Sequence, residues 1–327
     1  MRKNLLITGA SGFVGYHLIQ EALRRGDNVF AAVRKTSQLV HLQQSGINIV
    51  YPNFQNTELL KKELENWGIT HIVHGAALTK AASQQEYDYA NAVLARNLAQ
   101  AAATAAIDLK SFVFLSSLAA MGPSTDGQPL IEEQPPAPVT RYGKSKLLAE
   151  QYLAEVPSLP LTGLRPTAVY GPREKDLFIV INMIRRGWEF YIGKEKQQLS
   201  FVYVSDLVDL VFNALETPAA GSYYHVSDGQ AYDRYDLAAA LKKGLKIRTL
   251  RLHVPLKLVR VFLKIQEGLK RKGKVSILNH DKLRELTASW GCSIEKARRE
   301  MRYRPQVLLP EGLARTVQWY QANKWFS

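Results

Sequence analysis

The chain has 327 residues, of which 46% are hydrophobic and 22% are charged, a composition that provides a large buried core and excludes a disordered polypeptide. Its 43 basic and 29 acidic residues give a formal net charge of +14, which indicates an anionic partner: a phosphate-bearing ligand, a nucleic acid or a membrane surface. The single cysteine, Cys292, excludes an internal disulfide and a thiolate metal cluster, so we expect a reducing compartment and no metal site.

Strands and helices alternate along the first half of the chain. We predict strands at residues 5–7, 28–33, 47–51, 71–74 and 112–115, and helices at residues 13–25, 59–67 and 93–106. This rhythm is typical of βαβ units and a mostly parallel sheet. The sequence contains no signal-peptide pattern and no apolar run of the roughly 18–20 residues that a transmembrane helix needs, so we expect a cytoplasmic protein.

The pattern changes beyond Pro172, where helices dominate and strands are predicted only at residues 201–204 and 223–226. We therefore predict an α/β fold with two parts. A doubly wound parallel sheet of the Rossmann type occupies residues 1–172, with a return segment at about 200–226. A smaller, helix-rich C-terminal domain that binds substrate occupies residues 173–199 and 227–327.

A glycine-rich turn joins the first strand to the first helix. It reads Thr8-Gly9-Ala10-Ser11-Gly12-Phe13-Val14-Gly15, with the three glycines three residues apart. Glycine allows the tight turn and lets the backbone approach a pyrophosphate, which the free N–H groups at the helix N-terminus attract. Because the pattern lies in a strand–turn–helix, it predicts a dinucleotide site formed by Gly9, Ser11, Gly12, Phe13, Val14 and Gly15 rather than a plain structural turn.

The end of the second strand indicates which dinucleotide is bound. An acid there would bind the ribose 2′-hydroxyl, whereas a base would favour a 2′-phosphate. This chain has Arg34 and Lys35 and no acid, so we favour NADP(H) over NAD(H). The alternative is that both side chains are simply a solvated strand end.

A tyrosine and a lysine four residues apart, Tyr142 and Lys146, form a candidate catalytic pair. On a helix this spacing puts both side chains on one face. A free tyrosine has a pKa near 10, and a neighbouring ammonium would favour the phenolate and bring the group closer to its working range. The spacing is common by chance on surface helices, but together with the glycine-rich turn it indicates an enzyme.

With these motifs in order, the chain resembles the extended branch of the short-chain dehydrogenase/reductase family over nearly its whole length. The motifs that carry the resemblance are the turn at residues 8–15, His74-Gly75-Ala76-Ala77, Asn91, Phe114-Leu115-Ser116-Ser117, Tyr142-Gly143-Lys144-Ser145-Lys146, Leu164-Arg165-Pro166, Val169-Tyr170-Gly171-Pro172 and residues 201–206. By this resemblance Ser117, in the register set by Gly122, binds the substrate oxygen, Tyr142 transfers the proton, and Lys146 holds the nicotinamide ribose.

The resemblance also implies roles for further residues. Ala76 and Ala77 would line the cofactor, and Asn53 and Phe54 would lie near the adenine, where the family often has an aspartate instead of the asparagine. Asn91 and Asp206 are expected to hold the fold rather than to move protons. A homodimer is implied, formed through the helices that carry Asn91 and Tyr142.

The family includes nucleotide-sugar dehydratases, nucleotide-sugar epimerases, and reductases of apolar ketones. Dehydratases that resemble this chain carry an Asp-Glu pair after the catalytic hydroxyl residue, whereas this chain has Leu118-Ala119. Nucleotide-sugar enzymes often carry an arginine for the diphosphate where this chain has Gln198-Leu199-Ser200. They also carry an Arg-Pro-Gly-Asp segment that is missing near Arg251, although Arg185, Arg186 or Lys194 could substitute.

Residues 242–274 contain 12 lysines or arginines and one acid, Glu267. Within them, residues 255–272 predict a basic amphipathic helix with an apolar stripe of Leu258, Phe262, Ile265 and Leu269. The stripe could pack on the second domain, or it could enter an anionic membrane surface. The segment is similar to the equivalent stretch in the branch of 3β-hydroxysteroid dehydrogenases and lipid reductases. Nucleic-acid binding is not expected, since no recognition motif accompanies the charge.

The sequence therefore predicts an NADP(H)-dependent reductase or dehydrogenase that interconverts a secondary alcohol and a ketone on an apolar, lipid-like substrate, with a peripheral membrane contact through residues 242–274. The alternatives are a nucleotide-sugar epimerase and, less favoured, a non-catalytic protein that senses a nucleotide.

Overall fold

The structure is a computed structural model that describes residues 2–219, 221–268 and 279–326. Its strands are β1 (Asn4–Thr8), β2 (Asn28–Ala32), β3 (Ile47–Val50), β4 (His71–His74), β5 (Ser111–Leu115), β6 (Leu161–Pro166), β7 (Ala168–Tyr170), β8 (Trp188–Ile192), β9 (Gln198–Leu199), β10 (Phe201–Tyr203), β11 (Ser222–Val226), β12 (Tyr232–Asp233) and β13 (Leu250–Val254). Its helices are α1 (Phe13–Arg24), α2 (Thr57–Asn66), α3 (Gln84–Asp88), α4 (Leu94–Thr104), α5 (Arg141–Ala154), α6 (Asp176–Arg185), α7 (Val204–Glu216), α8 (Asp236–Leu245), α9 (Leu256–Gly268), α10 (His280–Thr287), α11 (Glu295–Met301) and α12 (Leu309–Ala322).

Seven parallel strands form the main sheet in the order β3-β2-β1-β4-β5-β6-β11. The chain runs outward from β1 to β3 and then returns to place β4 on the other side of β1. Ligands of open α/β sheets bind at such a reversal, beyond the carboxyl ends of the strands. The fold therefore directs attention to the ends of β1 and β4, at Thr8 and His74.

Helices cover both faces of this sheet, which explains why its strands are continuous apolar runs. Leu5 and Ile7 of β1 point to a core shared with α1, α7 and α11, whereas Leu6 points to a core shared with α2, α4 and α5. These alternating side chains fix the register of β1, because a slip of one residue would exchange the two cores. The predicted doubly wound Rossmann fold is confirmed.

A third core lies beside the sheet and joins β7 and β10 to helices α6, α8 and α12. Here the structure differs from the sequence prediction in two ways. The strand predicted at residues 201–204 is β10, which pairs with β7 outside the main sheet. The strands that were not predicted are β6, β7, β8, β9, β12 and β13. We propose the predicted division into two domains, with α11 belonging to the second domain while packing on the core of the first.

The predicted basic helix at residues 255–272 corresponds to α9. Residues 269–272 of that prediction lie outside the described residues, as do residues 273–274 at the end of the basic segment. In the described ranges, no helix is both long enough and apolar enough to cross a membrane.

Candidate active site

The glycine-rich turn lies at the carboxyl end of β1, where the chain enters α1. Gly9 has a φ of +71°, and a Cβ atom on Gly15 would lie 2.2 Å from the Gly9 carbonyl oxygen, so the turn and the helix can pack this closely only with glycine. The helix starts at Gly12 without a side-chain cap, which leaves its first N–H groups free to bind an anion. Ser11, Phe13 and Val14 lie between these glycines. The backbone of residues 9–15 thus forms a cradle that fits the pyrophosphate of a dinucleotide.

The end of β2 folds back toward this turn. The Ser37 hydroxyl accepts a hydrogen bond from the Arg34 backbone N–H at 3.2 Å and another from the Ser11 hydroxyl at 3.4 Å. The side chains of Arg34 and Lys35 are exposed, and neither makes an ion pair with another described residue. Two cations therefore lie next to the glycine-rich turn without a counter-ion in the described part of the chain.

The end of β4 is fixed by Thr8 of β1. The Thr8 hydroxyl accepts the backbone N–H groups of Gly75 and Ala76 at 3.1 and 3.0 Å, so its own proton goes to His74 Nδ1 at 2.8 Å. Burial lowers the pKa of His74 to about 3, so this imidazole is neutral and carries its proton on Nε2. Thr8 thereby orients Ala76, while Ala77 is exposed beside it.

The residues after β3 are held by local contacts. The Asn53 side-chain oxygen accepts the Gln55 N–H at 3.1 Å, and the Asn53 backbone N–H donates to Glu63 at 3.0 Å. The Phe54 carbonyl accepts a hydrogen bond from the Asn97 side chain at 2.9 Å. Asn53 is exposed and keeps its amide NH2 available for a ligand such as an adenine ring.

Helix α5 carries the candidate catalytic pair and approaches the end of β5 closely. Thr140 caps the helix by accepting the Gly143 N–H at 3.0 Å. A Cβ atom on Gly143 would lie 2.2 Å from the Ala119 carbonyl oxygen, so only glycine allows this approach. The close packing brings Tyr142 to the short turn that begins at Ser117.

Tyr142 and Ser117 both line one cavity. Burial raises the pKa of Tyr142 to about 12, and interaction with the Ser117 hydroxyl opposes that rise only in part. The phenol is therefore protonated at neutral pH and can donate its proton. The expectation that Lys146 lowers this pKa is not met in this structure.

Lys146 extends from α5 into the interior instead. Its ammonium donates to the Leu115 carbonyl at 2.6 Å and lies 4.3 Å from the centre of the Phe114 ring. The side chain is 1% exposed, and this burial lowers its pKa to about 7, with Glu150 opposing the shift. The i, i+4 spacing does put both residues on one helix face, but the Lys146 side chain extends to the end of β5.

Ser116 has a different environment from Ser117. Its hydroxyl donates to the Glu150 carboxylate at 2.5 Å, and Arg165 binds both oxygens of the same carboxylate at 2.9 and 2.6 Å. All three side chains are buried. This group stabilises the contact between α5, β5 and β6 and does not face the cavity.

The cavity beside Ser117 and Tyr142 has a volume of about 300 Å³, and more of its wall is apolar than polar. Besides that pair it is lined by Leu118, Ala119, Thr140, Pro166, Thr167, Ala168, Gln197, Leu199, Ser200, Phe201, Glu285, Leu286 and Trp290. Among these described residues, Glu285 is the one that carries a charge. The sequence does not predict that α10 and Trp290 line this cavity, since nothing local in their sequence marks them and only the tertiary fold brings them here.

Two residues expected to hold the fold do so. Asn91 is fully buried, accepts the Leu78 N–H at 2.7 Å and donates to Ser145 on α5 at 2.9 Å. Asp206 accepts the backbone N–H groups of Gln306 and Val307 at 3.0 and 2.9 Å. These contacts agree with the expected structural roles, and the expectation that neither residue moves a proton stays a prediction.

Comparison with known proteins gives the family. The model of the NAD dependent epimerase/dehydratase family matches residues 5–227. The UDP-glucose 4-epimerase of Vibrio cholerae is 29% identical over 99% of this chain and 97% of that protein. The decarboxylating sterol-4-alpha-carboxylate 3-dehydrogenase of Dictyostelium discoideum is 26% identical over 95% of this chain and 99% of that protein. The crystal structure of the Bordetella bronchiseptica enzyme WbmG in complex with NAD and UDP has the same fold, with a TM-score of 0.81 at 20% identity over 99% of this chain and 96% of that chain.

Proposed function

The chain belongs to the NAD-dependent epimerase/dehydratase family of extended short-chain dehydrogenases/reductases, and we propose that it is an NADP(H)-dependent reductase or dehydrogenase of an apolar ketone or secondary alcohol. The observation that carries this proposal is the cavity beside Ser117 and Tyr142. Its wall is largely apolar, and the charged residue among its described lining residues is a carboxylate, Glu285.

The cofactor would be held by the cradle at residues 9–15, with Ala76 and Ala77 along its nicotinamide half and Asn53 and Phe54 near its adenine. Arg34 and Lys35 support a 2′-phosphate and hence NADP(H), since both are exposed cations beside the cradle. The nicotinamide supplies or accepts the hydride when it is bound. Lys146 would bind the adjoining ribose, for which its ammonium must leave the Leu115 carbonyl.

The protein's own part in reduction is to bind and protonate the substrate oxygen. Ser117 donates a hydrogen bond to that oxygen and so stabilises the negative charge that develops on it. Tyr142, which is protonated at neutral pH, donates the proton. Donation leaves Tyr142 as a phenolate, and in the oxidative direction it is this phenolate oxygen that takes the proton from the alcohol.

A nucleotide-sugar substrate would need cations for its diphosphate. Arg185 lies on the Phe326 ring at 4.8 Å, and Arg251 is paired with Glu189 at 3.1 Å. Neither of them, nor Arg186 or Lys194, is among the described residues that line the cavity. Leu199 lies on the cavity wall in the segment where nucleotide-sugar enzymes of the family often carry an arginine.

Epimerisation of a nucleotide sugar is the second candidate function, because the Vibrio cholerae relative bears that name and matches nearly the whole chain. The sterol dehydrogenase of Dictyostelium discoideum matches almost as much of the chain and supports the first candidate. A role in nucleotide sensing is less favoured, since sensing requires neither Ser117 nor Tyr142.

The test is a thermal-shift screen with NADPH present, comparing UDP-sugars with steroid, sphingoid and flavonoid ketones, followed by NADPH oxidation assays on every compound that stabilises the protein. We expect stabilisation and NADPH oxidation with apolar ketones and no response to UDP-sugars. Stabilisation by a UDP-sugar, with its epimer as the product, would replace the reductase with the epimerase.

Two proposals about partners accompany this function. The protein would form a homodimer through the helices around Asn91 and Tyr142. It would also contact an anionic membrane through the basic segment at residues 242–274, as a peripheral protein that meets an apolar substrate there.

A further inference from the structure

The two-stranded sheet of β8 and β13 exposes its apolar face. Trp188 pairs with Leu250 and Phe190 with Leu252 across the parallel register, so all four side chains lie on one face. They are 36–56% exposed, and the two aromatic rings stack at 6.0 Å. The described residues thus leave a continuous apolar strip uncovered.

The opposite face of this sheet carries the charged residues Glu189 and Arg251, of which Glu189 is buried and Arg251 is exposed. Glu189 is 2% exposed and forms ion pairs with Lys242 of α8 at 2.6 Å and with Arg251 of β13 at 3.1 Å. A sheet that packs on one side normally buries its apolar face and exposes its polar face. Here the arrangement is inverted, which indicates that the exposed apolar face is itself a contact surface.

Helix α9 follows β13 directly and adds to this surface. Val259 and Leu263 pack it against α10 and against the ends of β8 and β13. The predicted stripe does not take part in that packing: Leu258, Phe262 and Ile265 are exposed, as is Val261 beside them, and Leu269 lies outside the described residues. The three described residues of the stripe are therefore not core of the second domain, which was the alternative to a membrane contact.

Exposed cations lie close to these apolar side chains in the sequence. They are Arg248, two residues before Leu250, and Lys257, Arg260 and Lys264 of α9. No ion pair joins any of them to another residue that the structure describes, and residues 242–266 contain no acid. Along α9, Lys257, Arg260 and Lys264 occupy the flank next to the exposed stripe, as the helical spacing requires.

We infer that the exposed faces of β8, β13 and α9 form one docking surface for an anionic lipid bilayer, with Trp188, Phe190 and Phe262 entering the interface and the flanking cations meeting lipid phosphates. Aromatic rings are favoured at the headgroup level, and basic side chains beside them are attracted to anionic lipid. This adds strand β8 to the membrane contact, since β8 lies outside the basic segment at residues 242–274.

A second copy of the chain fits this surface less well. In a twofold dimer the same patch faces itself, so the unpaired cations of one copy would meet those of the other. An anionic bilayer covers the apolar side chains and neutralises the cations together.

The docking surface is linked to the cavity by α10. Leu283 of α10 packs on Val259 and Leu263 of α9, while Glu285 and Leu286 of the same helix line the cavity. A bilayer bound at α9 therefore lies one helix away from the cavity wall. The inference rests on the proposed function only here, where it makes the bilayer the source of an apolar substrate.

The test is co-sedimentation of the full chain with vesicles of phosphatidylcholine alone and of two parts phosphatidylcholine to one part phosphatidylglycerol. Binding is expected to the anionic vesicles and to fall as salt rises. Replacing Lys257, Arg260 and Lys264 with Gln removes three charges and should lower the partition coefficient roughly 100-fold at low salt. The matched control replaces the exposed cations Lys62, Arg304 and Lys324 with Gln and should leave it unchanged.

The apolar part is tested with Trp188→Ser/Phe190→Ser and Phe262→Ser/Ile265→Ser, which should each abolish the binding that remains at high salt. Leu59→Ser/Leu308→Ser, at exposed apolar positions elsewhere, is the control. Circular dichroism verifies folding of each variant.

The inference would be overturned by equal binding to both kinds of vesicle or by no binding to either. It would also be overturned by a dimer, detected by sedimentation velocity, that Trp188→Ser/Phe190→Ser dissociates. Vesicle binding requires no turnover, so failure of the proposed reductase activity would be seen separately with a water-soluble ketone.

Discussion

Ser116 and Ser117 are adjacent in the chain, yet their hydroxyl groups have opposite environments. Ser116 donates to the buried Glu150 carboxylate, whereas Ser117 lines the cavity with Tyr142. The chain turns at this point because β5 ends and the short turn at residues 118–120 begins, with Ser117 accepting the Ala119 N–H at 3.2 Å. One serine therefore stabilises the fold and its neighbour is available to a substrate.

This difference predicts opposite effects for two alanine substitutions. Ser117→Ala should lower kcat about 100- to 1,000-fold, as removal of one donor to a developing oxyanion does, with little change in Tm. Ser116→Ala removes a buried hydrogen bond to a charged group and should destabilise the protein by roughly 1.5–3 kcal/mol while the folded fraction keeps its activity. Steady-state kinetics and thermal unfolding of both variants test this. The reverse pattern would show that Ser116 is the one that meets the substrate.

Tyr142→Phe removes the phenol oxygen and keeps the ring. We expect turnover to fall at least roughly 10²–10⁴-fold, because the proton of the reaction has lost its carrier, while NADPH affinity changes little. Turnover is measured by NADPH oxidation and affinity by fluorescence titration. Tyr87→Phe is a suitable control, since its ring lies 6.4 Å from the Tyr142 ring but its hydroxyl is bonded to the Thr79 carbonyl. Wild-type turnover in Tyr142→Phe would exclude Tyr142 as the proton donor.

The cations after β2 predict the cofactor preference. NADPH should bind more tightly than NADH, and Arg34→Ala should weaken NADPH roughly 10- to 100-fold, the value of a charge-assisted hydrogen bond, while leaving NADH nearly unchanged. Fluorescence titration with both cofactors measures this, with Lys62→Ala on α2 as a control for net charge. Tighter binding of NADH to the wild-type protein would mean that Arg34 and Lys35 are only a solvated strand end.

An arginine introduced into the cavity wall tests whether the lack of a cation for the diphosphate is what disfavours a nucleotide-sugar substrate. Leu199→Arg introduces a bidentate donor on the cavity wall in the segment where nucleotide-sugar enzymes often carry one. We expect UDP to stabilise this variant against heat although it does not stabilise the wild-type protein. The kcat/KM for an apolar ketone should fall, since the charged side chain of the arginine replaces an apolar side chain of the cavity wall. Leu199→Met, which keeps the wall apolar, should behave as wild type in both measurements.

The sequence predicts the parts of this molecule that local patterns determine. The first five strands, the glycine-rich turn and the Tyr142–Lys146 spacing are short-range features, and each is found at or within a few residues of its predicted place. The strands β8 and β13 were missed because they form a sheet that buries the charged Glu189 and exposes apolar side chains, so their pattern does not identify the buried side. Glu285 and Trp290 were missed because they reach the cavity only through the packing of α10. The raised pKa of Tyr142 was missed because it results mainly from burial, which no spacing reports, and Lys146 is not among its causes.

We expect the buried ammonium of Lys146 to destabilise the fold although the proposed function requires it. Its pKa is about 7 in the folded protein and near 10.5 when the chain is unfolded, so the folded state holds this proton more weakly. Below about pH 7 both states are protonated, and the full penalty of the buried charge destabilises the fold. Between about pH 7 and 10.5 only the unfolded state keeps the proton, so this penalty decreases as the pH rises.

Replacing Lys146 with Met keeps a long flexible side chain and removes the charge. A pKa shift of this size corresponds to roughly 4–5 kcal/mol, against which the lost hydrogen bond from the charged ammonium to Leu115 counts about 1.5–3 kcal/mol. Lys146→Met should therefore raise the Tm of the cofactor-free protein at pH 6, and the gain should shrink toward pH 10, while activity is lost at every pH. Lys144→Met, at an exposed position of the same helix, should show no gain that depends on pH. A lower Tm for Lys146→Met than for wild type across this range would mean that the buried ammonium stabilises the fold, and that its pKa is not depressed.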